Sequence, residues 1–298
     1  MTIHEPVLLE EILKYLDPAS NQNFVDCTFG GGGHSLAILE KIKPQGKVLG
    51  IDWDSQAVPK SQNKNLILVN DNYKNLSDII NGLNNVSTIG KINGILLDLG
   101  LSSDQLGQRD RGFSFQSQGL LDLRYDINSD RPTATEILRS YSEQDLFQIF
   151  KDYGEEPLAS AIAKTISAYR REGRPVETAE VLVQLVSNVY KRIFKSRSKK
   201  NPATRVFQAL RIAVNDEFGN LRSVLPQAIG LLEPGGRLAV ISFHSGEDRL
   251  VKNFFRSIGG KENPTIKILT KKPVIASHDE KEKNPRSRSA KLRVAQKL

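Results

Sequence analysis

The chain has 298 residues, 39% hydrophobic and 26% charged, which excludes a disordered or fibrous protein and suits one large globular domain or two modest ones. No stretch approaches the ~20 apolar residues needed to cross a bilayer, and a single cysteine, Cys27, excludes an internal disulfide or a cysteine-rich metal site. The formal charge of +8 is unevenly held: residues 1–100 carry eight Lys, no Arg and eleven acids, so the remainder carries +11 and every arginine, which suits a polyanionic partner for the second half.

In chain order, Pro6 to Leu16 reads as an amphipathic helix with Leu9, Ile12, Leu13 and Leu16 on one face. Phe24 to Phe29 is a first strand, followed by four glycines and a helix through Leu36, Ile38 and Leu39. Lys47–Asp52 and Leu66–Val69 are the second and third strands, Leu76–Leu83 a helix, and Ile92–Leu99 a fourth, central strand. From about residue 104 the pattern turns helical, with Glu136–Tyr153, Leu158–Arg171 and Ala179–Phe194 as the clearest stretches. Strand–helix order then returns: a helix over Leu221–Leu232, a turn at Pro234-Gly235-Gly236, a strand over Arg237–Phe243, a helix over Asp248–Ile258, and short strands at Thr265–Leu269 and Leu292–Ala295. The expected architecture is α/β: a doubly wound, mostly parallel seven-stranded sheet formed by residues 1–103 and 212–298, interrupted by a helical insertion over 104–211.

The candidate site lies at the carboxyl ends of those strands. Asp26-Cys27-Thr28-Phe29-Gly30-Gly31-Gly32-Gly33-His34 joins a strand to a helix, where glycines admit a ligand close to the backbone and the helix N-terminus offers donors. Asp52 ends the second strand, where a carboxylate accepts hydrogen bonds from ribose hydroxyls. The third glycine of a dinucleotide fingerprint is replaced by Ser35, no Gly-Lys-Ser/Thr follows the loop, and Asp26 would repel a pyrophosphate but suit an ammonium group, such as that of S-adenosylmethionine. Asp98 ends the fourth strand, so three acids (Asp26, Asp52, Asp98) stand at three strand ends. The four histidines (His4, His34, His244, His278) are too scattered to suggest a metal site, and none is expected.

With these residues in place, the chain resembles the RsmH (MraW) family of small-subunit ribosomal RNA methyltransferases along its length. The resemblance rests on His4 to Leu9, Asp26 to His34, Gly94 to Ser103, Arg111 to Phe115, Tyr153 to Glu156, Asn201 to Arg205, Phe207 to Arg211, Pro234 to Leu238, Ile241 to Ser245 with Glu247 to Arg249, and Asn284 to Ser289. It implies a Rossmann-like, class I S-adenosylmethionine-dependent methyltransferase fold whose helical insertion recognises the substrate. The implied activity is N4-methylation of the cytidine at position 1402 of 16S rRNA, in the decoding region. It also implies cofactor contacts at Gly32, Gly33, His34, Asp52, Asp98 and Gln105, with Tyr73 beside the adenine. The implied partner is 16S rRNA within the small ribosomal subunit, in the cytoplasm and away from membranes, with a homodimer left open.

An exocyclic cytosine amine is a poor nucleophile because its lone pair is delocalised, so the protein must align it and accept its hydrogen; Asp98, with His244 after the fifth strand, is expected to serve. Carbon-5 methylation would need a cysteine nucleophile, and Cys27 is placed to pack instead. Phe113, Phe115 and Phe243 are candidates to stack on the base. From Lys191 to Arg211 there are eight basic residues and no acid. Arg111, Lys199, Lys200, Arg205 and Arg211, with Arg286 and Arg288 in the tail, are therefore expected to contact RNA phosphates. Two other classes fit less well: a nicotinamide-dependent oxidoreductase, and a non-catalytic RNA-binding assembly factor on the same fold.

Overall fold

The computed structural model describes all residues except 1–5, 56–62, 85–88, 102–110, 116, 118, 195–200 and 261. Two compact units are present, residues 1–100 with 218–298, and residues 101–217. The first segment supplies α1 (Leu9–Leu16), β1 (Asn23–Asp26), α2 (Gly33–Lys41), β2 (Val48–Asp52), β3 (Leu66–Asn70), α3 (Leu76–Asn84) and β4 (Ile92–Asp98). The helical unit supplies α4 (Ala134–Ser140), α5 (Glu143–Gln148), α6 (Ala159–Arg171), α7 (Ala179–Phe194) and α8 (Thr204–Asn215). The chain returns through α9 (Glu217–Leu231), β5 (Leu232–Ser242), α10 (Ser245–Ile258), β6 (Ile266–Ile268), α11 (His278–Lys283) and β7 (Lys291–Lys297).

The seven strands form one sheet in the order β3-β2-β1-β4-β5-β7-β6, parallel except for β7, which runs against both β5 and β6. This is the doubly wound, mostly parallel sheet the sequence predicts. Its order reverses between β1 and β4, and the crevice at their carboxyl ends is where such sheets bind ligands. Helices cover both faces, so the strands are apolar on both sides. Val25, Leu49, Ile51, Ile95 and Leu97 enter one buried cluster, while Phe24, Val48, Leu96, Ala239 and Ile241 enter another, the alternation a strand imposes.

Several boundaries differ from the sequence reading, each for a local reason. The first helix begins at Leu9, not Pro6, because Leu8 takes a left-handed conformation (φ 55°) and its N–H donates to Glu280 Oε1 of α11 at 2.7 Å. Strand β1 stops at Asp26, where the side chain turns back to cap the following loop. The expected turn at Pro234-Gly235-Gly236 is a bulge inside β5: pairing with β4 jumps from Ile92↔Leu232 to Gly94↔Arg237, and Gly235 absorbs the kink at φ 83°. The expected helix over 136–153 is two helices, because Thr133 with Glu136 and Ser142 with Asp145 each form a capping box. A single wide π turn, Ile149–Tyr153, follows.

The helical unit has its own core, including Leu138, Phe150, Ile162, Leu182, Leu210 and Val214. Because α8 carries Leu210 and Val214 into that core, the unit extends past Arg211 to Glu217. No helix among the described residues is long and apolar enough to cross a membrane.

Candidate active site

Beyond β1 the chain makes a tight loop braced by its own polar groups. Asp26, 1% exposed, accepts hydrogen bonds from the Thr28 N–H (3.1 Å) and the Ser35 hydroxyl (2.7 Å). Both oxygens brace the loop, so Asp26 shapes the turn, and its remaining lone-pair sites are those the sequence offers to a ligand's ammonium group. Gly32 precedes α2 at φ +74°, and a Cβ there would lie 2.7 Å from the Phe29 ring; at Gly33 a Cβ would run into the Pro6 ring. Only glycine fits a left-handed residue pressed on an aromatic face.

Asp52 closes the loop from the neighbouring strand. Its Oδ2 accepts the Gly30 N–H at 2.7 Å and its Oδ1 the Asp54 N–H at 2.8 Å. A carboxylate offers about four lone-pair sites, so two remain for hydroxyl donors. Burial pushes its pKa up to about 6, against the lowering effect of those two N–H groups. Tyr73 follows the end of β3, on the same side of the sheet, and is half-buried.

Asp98 stands on the other side of the switch point. Its backbone N–H donates to the Thr28 hydroxyl at 2.7 Å, which ties β4 to the loop. Oδ2 is 3.7 Å from His34 Nδ1, and His34 Nε2–H donates to the Val7 carbonyl at 2.9 Å. Oδ1 is buried and makes no hydrogen bond among the described residues. Burial, opposed by His34, pushes the Asp98 pKa up to about 6; the charge of Asp26 adds to the rise, and Arg286 opposes it. Asp26 also acts on Asp52, so the three acids share one electrostatic neighbourhood, as the strand ends predict.

The other expected site residues divide sharply. His244 is the N-cap of α10: its Nδ1 accepts the Glu247 N–H at 3.4 Å and its Nε2 lies 3.3 Å from Glu247 Oε1. Among the described residues the histidine beside Asp98 is His34. Arg286 is a correction of a different kind, since this residue expected on RNA is half-buried and bears electrostatically on Asp98. Arg111, 8% exposed, donates to the carbonyls of Arg124 and Tyr125 at 2.7 and 2.6 Å. Phe113 is buried and stacked on Tyr125, with ring centroids 6.0 Å apart. Arg211 holds Glu217 through two hydrogen bonds of 2.7 and 3.0 Å. These three therefore brace the helical unit, where their contacts lie. Arg205 and Arg288 are exposed, and Phe115 keeps an exposed ring edge-on to Phe207. Gln105, Lys199 and Lys200 lie outside the described residues.

Sequence reasoning missed the tie from Val7 to His34 and the position of Arg286. The second had a signal: Asn284 followed by Pro285 is a cap with proline in the first turn, and the structure has that turn over Pro285–Ser289.

The residues present fit a methyl-donating nucleoside with an amino acid end. A carboxylate at Asp52 with lone pairs left for ribose hydroxyls and an orphaned buried oxygen on Asp98 leave polar capacity that the protein itself does not use. A model of the MraW methylase family matches residues 1–298. The chain belongs to the MraW methylase family. Its relatives include proteins named ribosomal RNA small subunit methyltransferase H. That of Thermomicrobium roseum is 46% identical, covering 100% of this chain and 94% of its own. That of Heliobacterium mobile is 43% identical, covering 99% of each. An rRNA methylase structure from Streptococcus thermophilus aligns over 100% of this chain and 99% of its own at 12% identity, with a TM-score of 0.42. Membership in a methylase family removes the oxidoreductase reading, and the acids that converge at the switch point speak for a working site over an inert scaffold.

Proposed function

We propose that this MraW methylase transfers the methyl group of S-adenosylmethionine to N4 of the cytidine at position 1402 of 16S rRNA, in the small-subunit decoding region. The methylase family and the names of the relatives aligned along the whole chain support the reaction and the RNA class; the nucleotide comes from the sequence resemblance. The observation that carries the assignment is Asp98: a buried carboxyl with one unpartnered oxygen, beside a glycine turn, at the point where the sheet order reverses.

In this reading Gly32, Gly33 and Asp52 hold the cofactor, Tyr73 and Gln105 flank it, and S-adenosylmethionine when bound supplies an electrophilic methyl group. Asp98 accepts a hydrogen from the exocyclic amine, which turns the nitrogen lone pair towards the methyl and stabilises the growing positive charge. With the methyl donor bound, the Asp98 carboxylate would take up the proton that N4 releases on methylation. His34 is a positioning residue: anchored by Val7, it fixes the orientation of the carboxylate. Carbon-5 chemistry is disfavoured because Cys27 is 1% exposed and burial pushes its thiol well above the ordinary range.

Incubation with labelled S-adenosylmethionine and either 16S rRNA or assembled small subunits, with mass spectrometry of the digested RNA, tests the proposal. N4-methylcytidine at the decoding region is the expected product. 5-Methylcytidine, or no label in either acceptor despite calorimetric cofactor binding, would overturn it.

A further inference from the structure

At the opposite end of the same sheet lies a second pocket that the methyl-transfer site does not use. Helix α10 leaves the carboxyl end of β5 and runs back along the sheet for 14 residues, about 21 Å at 1.5 Å per residue. Its last turn, Gly259-Gly260, β6 and the end of β7 enclose a cavity of about 540 Å³. The floor is apolar, from Phe255, Ile266 and Ile268, while the walls carry Lys252, Arg256, Lys267, Lys271 and Arg293 and no acidic side chain.

Only one of these five cations is neutralised. Arg293 holds Asp248 through bonds of 2.6 and 3.2 Å. Lys252, Arg256, Lys267 and Lys271 make no ion pair among the described residues, and the last three are exposed. Lys252 and Arg256 stand one helical turn apart on α10, so their side chains share a face. Unpaired cations gathered around a concavity repel one another, and an arrangement of this kind gains from a bound anion. The cavity is lined in part by β6, the sheet's edge strand, so its wall lies at the margin of the sheet.

We infer that this pocket is a second contact for RNA, a phosphodiester cradle about 20 Å from the methyl-transfer end of the sheet, the span of α10. It rests on the rRNA-substrate reading and adds a place to it: a folded acceptor whose target cytidine sits at the switch point lays a distant stretch of backbone on α10 and β6. Contacts to phosphates position an RNA without reading its sequence.

The test compares the wild-type chain with a Lys252→Glu/Arg256→Glu/Lys267→Glu/Lys271→Glu variant, measuring binding to transcribed 16S rRNA at several salt concentrations. Each phosphate contact contributes roughly 0.7 to 0.9 to the slope of log affinity against log salt. Loss of about three contacts should therefore flatten the slope by roughly 2 to 3, with S-adenosylmethionine affinity by calorimetry unchanged. If cofactor affinity falls as well, the milder Lys252→Gln/Lys271→Gln variant decides, with a slope change of about 1 to 2 expected. An unchanged slope in a variant that still binds cofactor overturns the inference, as does loss of binding to phosphatidylglycerol vesicles without any change towards RNA. Failure of the wild-type chain to bind 16S rRNA at all would instead strike the substrate reading itself.

Discussion

The sheet unit and the helical unit use their charged residues in opposite ways. In the first, Asp26, Asp52 and Asp98 were placed by topology: each ends a parallel strand next to the switch point, and the backbone path brings them together whatever lies around them. In the second, a dense basic sequence with interleaved aromatics reads as a nucleic-acid surface, yet Arg111 and Arg211 point inward to carbonyls and to Glu217. A strand end has one place to be. An arginine on a helix has a long stem and five donors, and can serve a phosphate, a neighbouring carboxylate or a frayed helix end equally well. Acids at strand ends are thus a sharper functional signal than arginines in a helical insertion.

That contrast can be broken most severely at Asp98. Asp98→Asn should lower single-turnover methyl transfer by about 10²- to 10⁴-fold, the range of a lost proton acceptor, while calorimetry shows a much smaller change in cofactor affinity. In the wild type the rate should climb as pH rises through about 6, where Asp98 ionises, and this inflection should vanish in the variant. A variant that keeps its rate would reduce Asp98 to a structural residue like Asp26.

Asp52→Ala comes next. Losing hydrogen bonds from two hydroxyls to a charged acceptor should weaken S-adenosylmethionine binding by about 10- to 100-fold or more. Full cofactor affinity in that variant would remove Asp52 from the site.

In the helical unit, Arg211→Ala leaves Glu217 buried without its partner and should cost roughly 3 kcal/mol of stability, read as a lower midpoint in urea. The salt dependence of RNA binding should not move, and a flattened slope would return Arg211 to the RNA surface.

A subtler comparison is the pH dependence of stability. Asp52 and Asp98 hold their protons more tightly in the folded chain (about 6) than at the ordinary 3.8. The folded state therefore binds more protons than the unfolded state between those values, and their contribution to stability falls as pH rises through about 4 to 6 and is level above it. The cofactor-free Asp98→Asn variant should be the more stable protein at pH 8, with the difference closing near pH 4; the reverse order would contradict the buried carboxyl. Smallest of all, Cys27→Ala should leave methyl transfer intact and cost about 1 kcal/mol, and an inactive variant would reopen cysteine chemistry.

The mostly parallel sheet, the glycine turn and the convergence of acids were legible because period-two burial and strand-end chemistry are local signals that topology multiplies. The neighbour of Asp98 was not. His244 and His34 both follow strands, but His244 sits three residues before Glu247, a spacing that closes a cap, and its Nδ1 serves its own helix. His34 faces Asp98 with its other ring nitrogen hydrogen-bonded to Val7, 27 positions away, and no local pattern announces a contact of that range. The bulge in β5 was hidden for a related reason: Pro-Gly-Gly spells a turn unless a neighbouring strand holds it flat.

The adjacent strands β4 and β5 are separated in the chain by the whole 101–217 unit. Closing a flexible loop costs only about 0.6 kcal/mol more for each doubling of its length, so the sheet is almost indifferent to how much chain is interposed. Because that segment collapses around a core of its own, it also shortens the distance over which β4 must search for β5. The join between β4 and β5 therefore tolerates length: a longer or shorter segment there should leave the pairing of Leu96 with Ala239 and of Asp98 with Ile241 intact.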